Sequence, residues 1–142
     1  MGAYKLGPGF KVTAFQESST AIVHTGLWNT ATLSGAYGGS VQHHSVAGRK
    51  ATFSVPAATK NVGLVSTKAS NRGKAQVCVD PNTAVQSCTT VDLLFSVTQP
   101  KSAVFSKTVN PATSHKPEVR VLGQKHASST GMRVDVDAFT TT

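Results

Sequence analysis

The chain has 142 residues, of which 39% are hydrophobic and 14% charged, enough for one domain with a real core and too little for two comfortable ones. Fourteen Lys and Arg against six Asp and Glu give a formal net charge of +8, a surplus that attracts polyanions in general. The basic residues are dispersed, with Arg49–Lys50 the only adjacent pair, which excludes the clustered footprint of a specific nucleic-acid partner.

Val, Thr, Ser and Gly are abundant, Leu is sparse, and Glu occurs only as Glu17 and Glu118. This favours pleated strands and turns over helices. No stretch approaches the roughly 20 apolar residues of a membrane span. Met1 to Phe10 lacks the apolar run of a signal peptide, so the chain reads as a piece of a larger, multidomain protein.

Residues 1–16 pattern weakly, and residues 1–19 are assigned to an N-terminal segment or edge strand. Residues 20–142 form the predicted module. Within it, Ala21–Thr25 is the first convincing strand, and Ser40–His44 follows a loop punctuated by Ser34-Gly35 and Gly38-Gly39. Ala51, Phe53 and Val55 share one face of the next strand, which Pro56 ends. Val62–Ser66, Ala75–Val79, Val91–Phe95, Ala103–Lys107, Glu118–Leu122 and Met132–Ala138 complete about nine strands at roughly 8–12-residue spacing, the signature of a sandwich or barrel. In the last of them Met132, Val134, Val136 and Ala138 alternate with Arg133, Asp135 and Asp137, as an antiparallel strand with one wet face would. Phe53, Phe95 and Phe105 fall in strand patterns and are expected in the core.

Cys78 and Cys88 bracket a segment with Pro81-Asn82-Thr83 at its middle. A hairpin centred on Thr83 sets position 78 opposite 88, within reach of a cross-strand disulfide. Such a bond implies an oxidising compartment, hence an extracellular or cell-surface setting; two reduced, partly buried thiols are the alternative.

With these elements set out, the runs Thr25-Gly-Leu-Trp28, Gly38-Gly39-Ser40, Gly48-Arg-Lys-Ala-Thr-Phe53, Asn71-Arg-Gly-Lys-Ala-Gln-Val-Cys-Val-Asp80 and Arg133-Val-Asp-Val-Asp-Ala-Phe139 resemble, in that order, a jelly-roll domain. It is the carbohydrate-binding-module-like (galactose-binding-like) domain of actinobacterial secreted and surface proteins. The resemblance spans roughly residues 20–140 and implies an all-β, antiparallel β-sandwich with an accessory binding role. The chain departs from that pattern at Asp80-Pro81, where an Asp-Gly turn is usual, and between Lys60 and Lys68, where an aromatic residue is often seen.

Sugar C–H faces pack on aromatic rings with polar groups fixing the hydroxyls. Tyr37, in the Gly-rich loop, is the best exposed ring, and Trp28 fits either a ligand platform or core packing. Lys68, Arg72 and Lys74 frame the loop Ser66 to Lys74, with Ser70 and Asn71 between, able to hydrogen-bond an acidic sugar or phosphate, or simply a solvated one. His43 and His44 are adjacent on a strand and point to opposite faces. Asp135 and Asp137 share a face, and paired carboxylates suit calcium; the resemblance adds Glu17 and Asp137 as candidates for a structural Ca2+. Alternatively these acids neutralise Arg120 and Arg133. No Gly-x-Ser-x-Gly elbow or His-Glu-x-x-His helix occurs, and no catalytic role is expected. The leading expectation is therefore a non-catalytic module that binds a glycan or anionic cell-wall polymer. The second is a structural or adhesive protein-interaction module in a surface or virion-tail assembly.

Overall fold

The computed structural model describes residues 12–142; the first eleven residues of the predicted N-terminal segment lie outside it. The fold is an all-β jelly-roll sandwich of twelve strands. These are β1 (Thr13–Gln16), β2 (Ile22–Thr25), β3 (Asn29–Thr32), β4 (Ser40–His44), β5 (Lys50–Phe53), β6 (Asn61–Lys68), β7 (Lys74–Val79), β8 (Ser87–Asp92), β9 (Gln99–Thr108), β10 (Pro117–Val121), β11 (Val134–Val136) and β12 (Ala138–Thr141). A 3-10 turn, Tyr37–Gly39, precedes β4.

One layer is a five-stranded sheet in the order β2-β5-β10-β7-β8. Facing it are a four-stranded sheet, β1-β12-β6-β9, and a three-stranded one, β11-β4-β3. Every pairing between named strands is antiparallel. The chain passes from β11 to β12 through a single residue, Asp137, so one short linkage joins the two sheets of the second layer.

The core forms between the layers, where alternate side chains of each strand meet. Ile22, Ala51, Phe53, Val77, Val119 and Val121 come from the five-stranded sheet, and Leu64, Val134, Val136 and Phe139 face them. Phe53 stacks on Phe139 at 5.1 Å between centroids and touches Phe15 of β1 at 4.9 Å. Burying each such ring contributes about 1.5–3 kcal/mol, so three strands from both layers are pinned at one point.

Several expectations are corrected. The described residues form twelve strands rather than about nine. β3, four residues long, carries too few apolar β-formers to signal itself; β1 lies within residues 1–19, expected as an N-terminal segment or edge strand; and Met132–Ala138 divides at Asp137 into β11 and β12. The strand expected at Val91–Phe95 runs instead from Ser87 to Asp92, pairing with β7 from the hairpin outward, which leaves Phe95 38% exposed and outside the core. The face expected to be wet is not: Asp135 on β11 and Asp137 just after it are both 0% exposed. The hairpin expectation holds, with Cys78 paired to Cys88 in register and joined to it by a disulfide. Among the described residues no helix is long and apolar enough to cross a membrane.

Candidate functional site

The β11–β12 linkage carries the most unusual electrostatics in the molecule. Asp137 donates its backbone N–H to Val65 O at 3.1 Å, and its own carbonyl accepts the N–H of Glu17 at 2.9 Å. Its carboxylate accepts the Tyr37 N–H at 3.1 and 3.2 Å. The neighbouring carboxylate is that of Glu17, just past the end of β1, whose Oε1 accepts a hydroxyl hydrogen bond from Ser40 at 2.6 Å. Glu17 Oε2 is buried with no partner. Burial, with the Glu17 charge beside it, pushes the Asp137 carboxyl up to about 6, while the Tyr37 N–H and Lys101 pull the other way. A pair of buried acids with an orphaned oxygen is a poor arrangement alone and a good one around a cation. By this test Glu17 and Asp137 fit calcium, which wants six to eight hard oxygens, the remainder having to come from hydroxyls, carbonyls and water. Among the described residues no group of three or more His, Cys, Asp or Glu side chains is gathered for a metal ion.

Asp135 does not fit that role. Its carboxylate is filled by two guanidinium groups, Arg72 Nη2 at 2.9 Å and Arg133 Nε at 2.7 Å. Arg72 is 4% exposed and also donates to the side-chain oxygen of Asn71. The loop that carries it can lie this close because Gly73 has no side chain. A Cβ there would come within 2.7 Å of the Met132 backbone, and Gly73 N–H donates to Arg133 O at 2.9 Å. Burial lowers the Arg72 pKa, opposed by Asp135. The segment expected to be a solvated loop thus covers β11 and turns the supposed wet face into a buried ion network. Arg120 pairs not with these acids but, at 3.9 Å, with Glu118.

Tyr37 stands in the 3-10 turn, held by its N–H to Asp137. Lys101 Nζ lies 4.4 Å from its ring centroid, a cation–π distance. Both residues line a hollow of about 670 Å³ running along β6 and β9, with Asn61, Ser106 and Thr140 as its polar walls and Val65 and Phe105 among its apolar ones. The Gly-rich loop needs its glycines here: Gly35 has φ +90, and a Cβ on it would meet Pro100 Cγ at 2.7 Å. The loop is therefore clasped on one side by Pro100–Lys101 and on the other by Asp137.

The remaining predicted residues lie elsewhere. Trp28 is half-buried against the core, its Nε1–H donating to Thr25 O at 3.1 Å. Edge-to-face contacts link it to His24 and His44, at 5.3 and 5.9 Å between centroids. Burial lowers the pKa of His24 and, together with Arg133, that of His43. Asn71 is exposed and Lys74 half-buried. The structure thus brings together Glu17, Asp137 and Tyr37, and separately Asn71, Arg72 and Asp135, without gathering the five expected ligand contacts into one surface. Sequence reasoning missed Lys101 and Ser40, since nothing local marks a lysine that reaches a ring 64 positions away.

No protein-family model and no curated protein matches the chain. Solved structures do. A Paenibacillus xanthan lyase superposes with a TM-score of 0.65 at 16% identity over 90% of this chain. A family 35 carbohydrate-binding module from Cellvibrio japonicus gives 0.61 at 11%, and one from Clostridium thermocellum 0.55 at 13%, each over 93% of this chain. The chain spans 13% of the lyase and 36% of a two-domain esterase active on acetylated mannans, but 93% and 98% of the two isolated modules. At these identities the likeness shows a shared jelly-roll fold.

Proposed function

We propose that the chain is a non-catalytic carbohydrate-binding module of a secreted or cell-surface multidomain protein, holding a glycan or an anionic cell-wall polymer. The observation that carries this reading is Tyr37 beside Lys101 on the 670 Å³ hollow: an aromatic face for sugar C–H groups, one cation, and hydroxyl and amide groups for sugar hydroxyls. Support comes from the fold shared with isolated modules named for carbohydrate binding and from the disulfide, which suits an oxidising compartment. Trp28, Asn71 and Lys74 are candidates for outlying contacts, and Arg72 acts through the network that holds its loop. Calcium at Glu17 and Asp137, if bound, supplies the positive charge that this acidic pair lacks. The chain's own part is to place those two carboxylates within reach of each other's charge and to donate the Tyr37 N–H to one of them.

The test is a glycan array and pull-down on insoluble polysaccharides, with calcium and with chelator, comparing the native protein with Tyr37→Ala. Retention of the native chain, about fivefold weaker in the variant on the roughly 1 kcal/mol of an aromatic contact, is expected. Blank results in both conditions overturn the reading. A second reading, an adhesive or spacer module, is favoured by the exposed apolar side chains Leu27 (91%) and Val46 (52%). It predicts blank arrays with concentration-dependent self-association.

A further inference from the structure

A single histidine ties the tip of the disulfide-bonded hairpin to the β9–β10 loop. His115 Nδ1 lies 2.7 Å from Asp80 Oδ2, while its Nε2 lies 2.7 Å from the Asn110 carbonyl oxygen and 3.1 Å from Thr113 Oγ1. Carboxylate and carbonyl oxygens only accept, so each ring nitrogen needs its own hydrogen, and neutral imidazole has one. The surroundings are built for the imidazolium. With Nε2 donating to Asn110, the ring is no base for the Thr113 hydroxyl, and the Thr113–His115–Asp80 line is not a nucleophile relay.

The same two segments are joined by the backbone. Lys116 N–H donates to Asp80 Oδ1 at 2.9 Å and Asp80 N–H to Lys116 O at 3.0 Å. Asp80 follows β7 directly, inside the loop closed by Cys78–Cys88, and has φ +56. Its side chain and that of His115 are 13% and 10% exposed. Hollows of about 420 and 460 Å³ lie to either side, both lined by Asp80, Thr83, Ser114 and His115, so the pair forms their common wall.

We propose that His115 is a protonation-controlled clasp: charged, it fastens the hairpin tip to the β9–β10 loop; neutral, it gives up one of its two acceptors and loosens the wall between the hollows. The charged groups around it are Asp80 on the hairpin, Lys107 on β9, Lys116 just before β10 and Glu118 on it; β5 and the residues after it present only Thr52, Ser54 and Val55. The two acids favour the imidazolium and the two lysines oppose it. The hydrogen bond to Asp80, and after it that to Asn110, raises the His115 pKa above its usual 6.5 against the effect of burial. The sign follows: the clasp's stability is complete below 6.5 and is lost as pH rises through the folded value.

The test is an NMR titration of the His115 ring in the native protein, Asp80→Asn and His115→Gln, with amide exchange of Gln86 and Lys116 corrected for its intrinsic pH dependence. Expected are a native midpoint above 6.5, a lower one in Asp80→Asn, and exchange that speeds several-fold across the native midpoint but stays flat in His115→Gln. A native midpoint at or below 6.5, flat native exchange, or a pH step that survives in His115→Gln would each overturn the clasp.

Discussion

Asp135 and Asp137 are two residues apart at the join of two sheets, both wholly buried, and the protein treats them in opposite ways. Asp135 receives two guanidinium groups at 2.9 and 2.7 Å. Asp137 receives one backbone N–H from Tyr37 and the company of a second acid, with an oxygen of Glu17 left unpartnered. Burying a carboxylate is tolerable when a positive charge replaces the lost water and costly otherwise. The first site is therefore balanced by the chain's own guanidinium groups, whereas the second leaves an acid oxygen without a partner. One supports the fold, and the other can respond to its surroundings.

The largest expected effect comes from breaking the balanced site. Asp135→Ala leaves Arg72 buried beside Arg133 with no carboxylate between them, and removing one member of such a pair costs about 3–5 kcal/mol. Chemical denaturation in chelator should show that loss. The same measurement on Asp137→Asn should show no loss at neutral pH. Equal destabilisation of both variants would erase the distinction between the sites.

Next in size is the pH dependence of the unbalanced site. A carboxyl raised from 3.8 to about 6 on folding holds its proton more tightly in the folded chain, so its contribution is complete below about 3.8 and gone above about 6. In chelator, stability should fall across that window by about 2–3 kcal/mol, and Asp137→Asn should flatten the fall. Calcium, by favouring the ionised form, should oppose it; at a hundredfold excess over its Kd it would raise stability by about 2.7 kcal/mol. A calcium titration that leaves the melting temperature unmoved removes the cation from the Glu17–Asp137 pair.

How much of this was legible follows sequence distance. The disulfide hairpin closes over 10 positions, and turn residues with flanking alternation were enough to find it. The alternating Val and Phe positions likewise gave the sandwich. The short strand β3 was not legible because Asn29-Thr-Ala-Thr32 has no run of apolar β-formers; tertiary pairing, not local preference, makes it a strand, whereas β1 falls in residues 1–19, expected as an N-terminal segment or edge strand. The alternation around Asp135 shows the strand period but not the burial, since the covering residue, Arg72, comes from 63 positions away. The Tyr37–Asp137 contact spans 100 positions, and only the resemblance put Glu17 beside Asp137.

The smallest effect is the most discriminating, because it separates the charge of the second acid from its packing. Glu17→Gln keeps an oxygen able to accept the Ser40 hydroxyl but removes the negative charge that helps raise Asp137. In chelator the Asp137 midpoint should move down from about 6, and stability near neutral pH should rise by less than about 1 kcal/mol, the scale of a single charge interaction. With calcium the same variant should lose most of the thermal shift, since one of its two carboxylates is gone. Burial alone is the largest cause of the raised Asp137 value, so the midpoint should stay above 3.8. If it returned fully to that ordinary value, repulsion between the two acids rather than loss of water would be the dominant force at the join of the sheets.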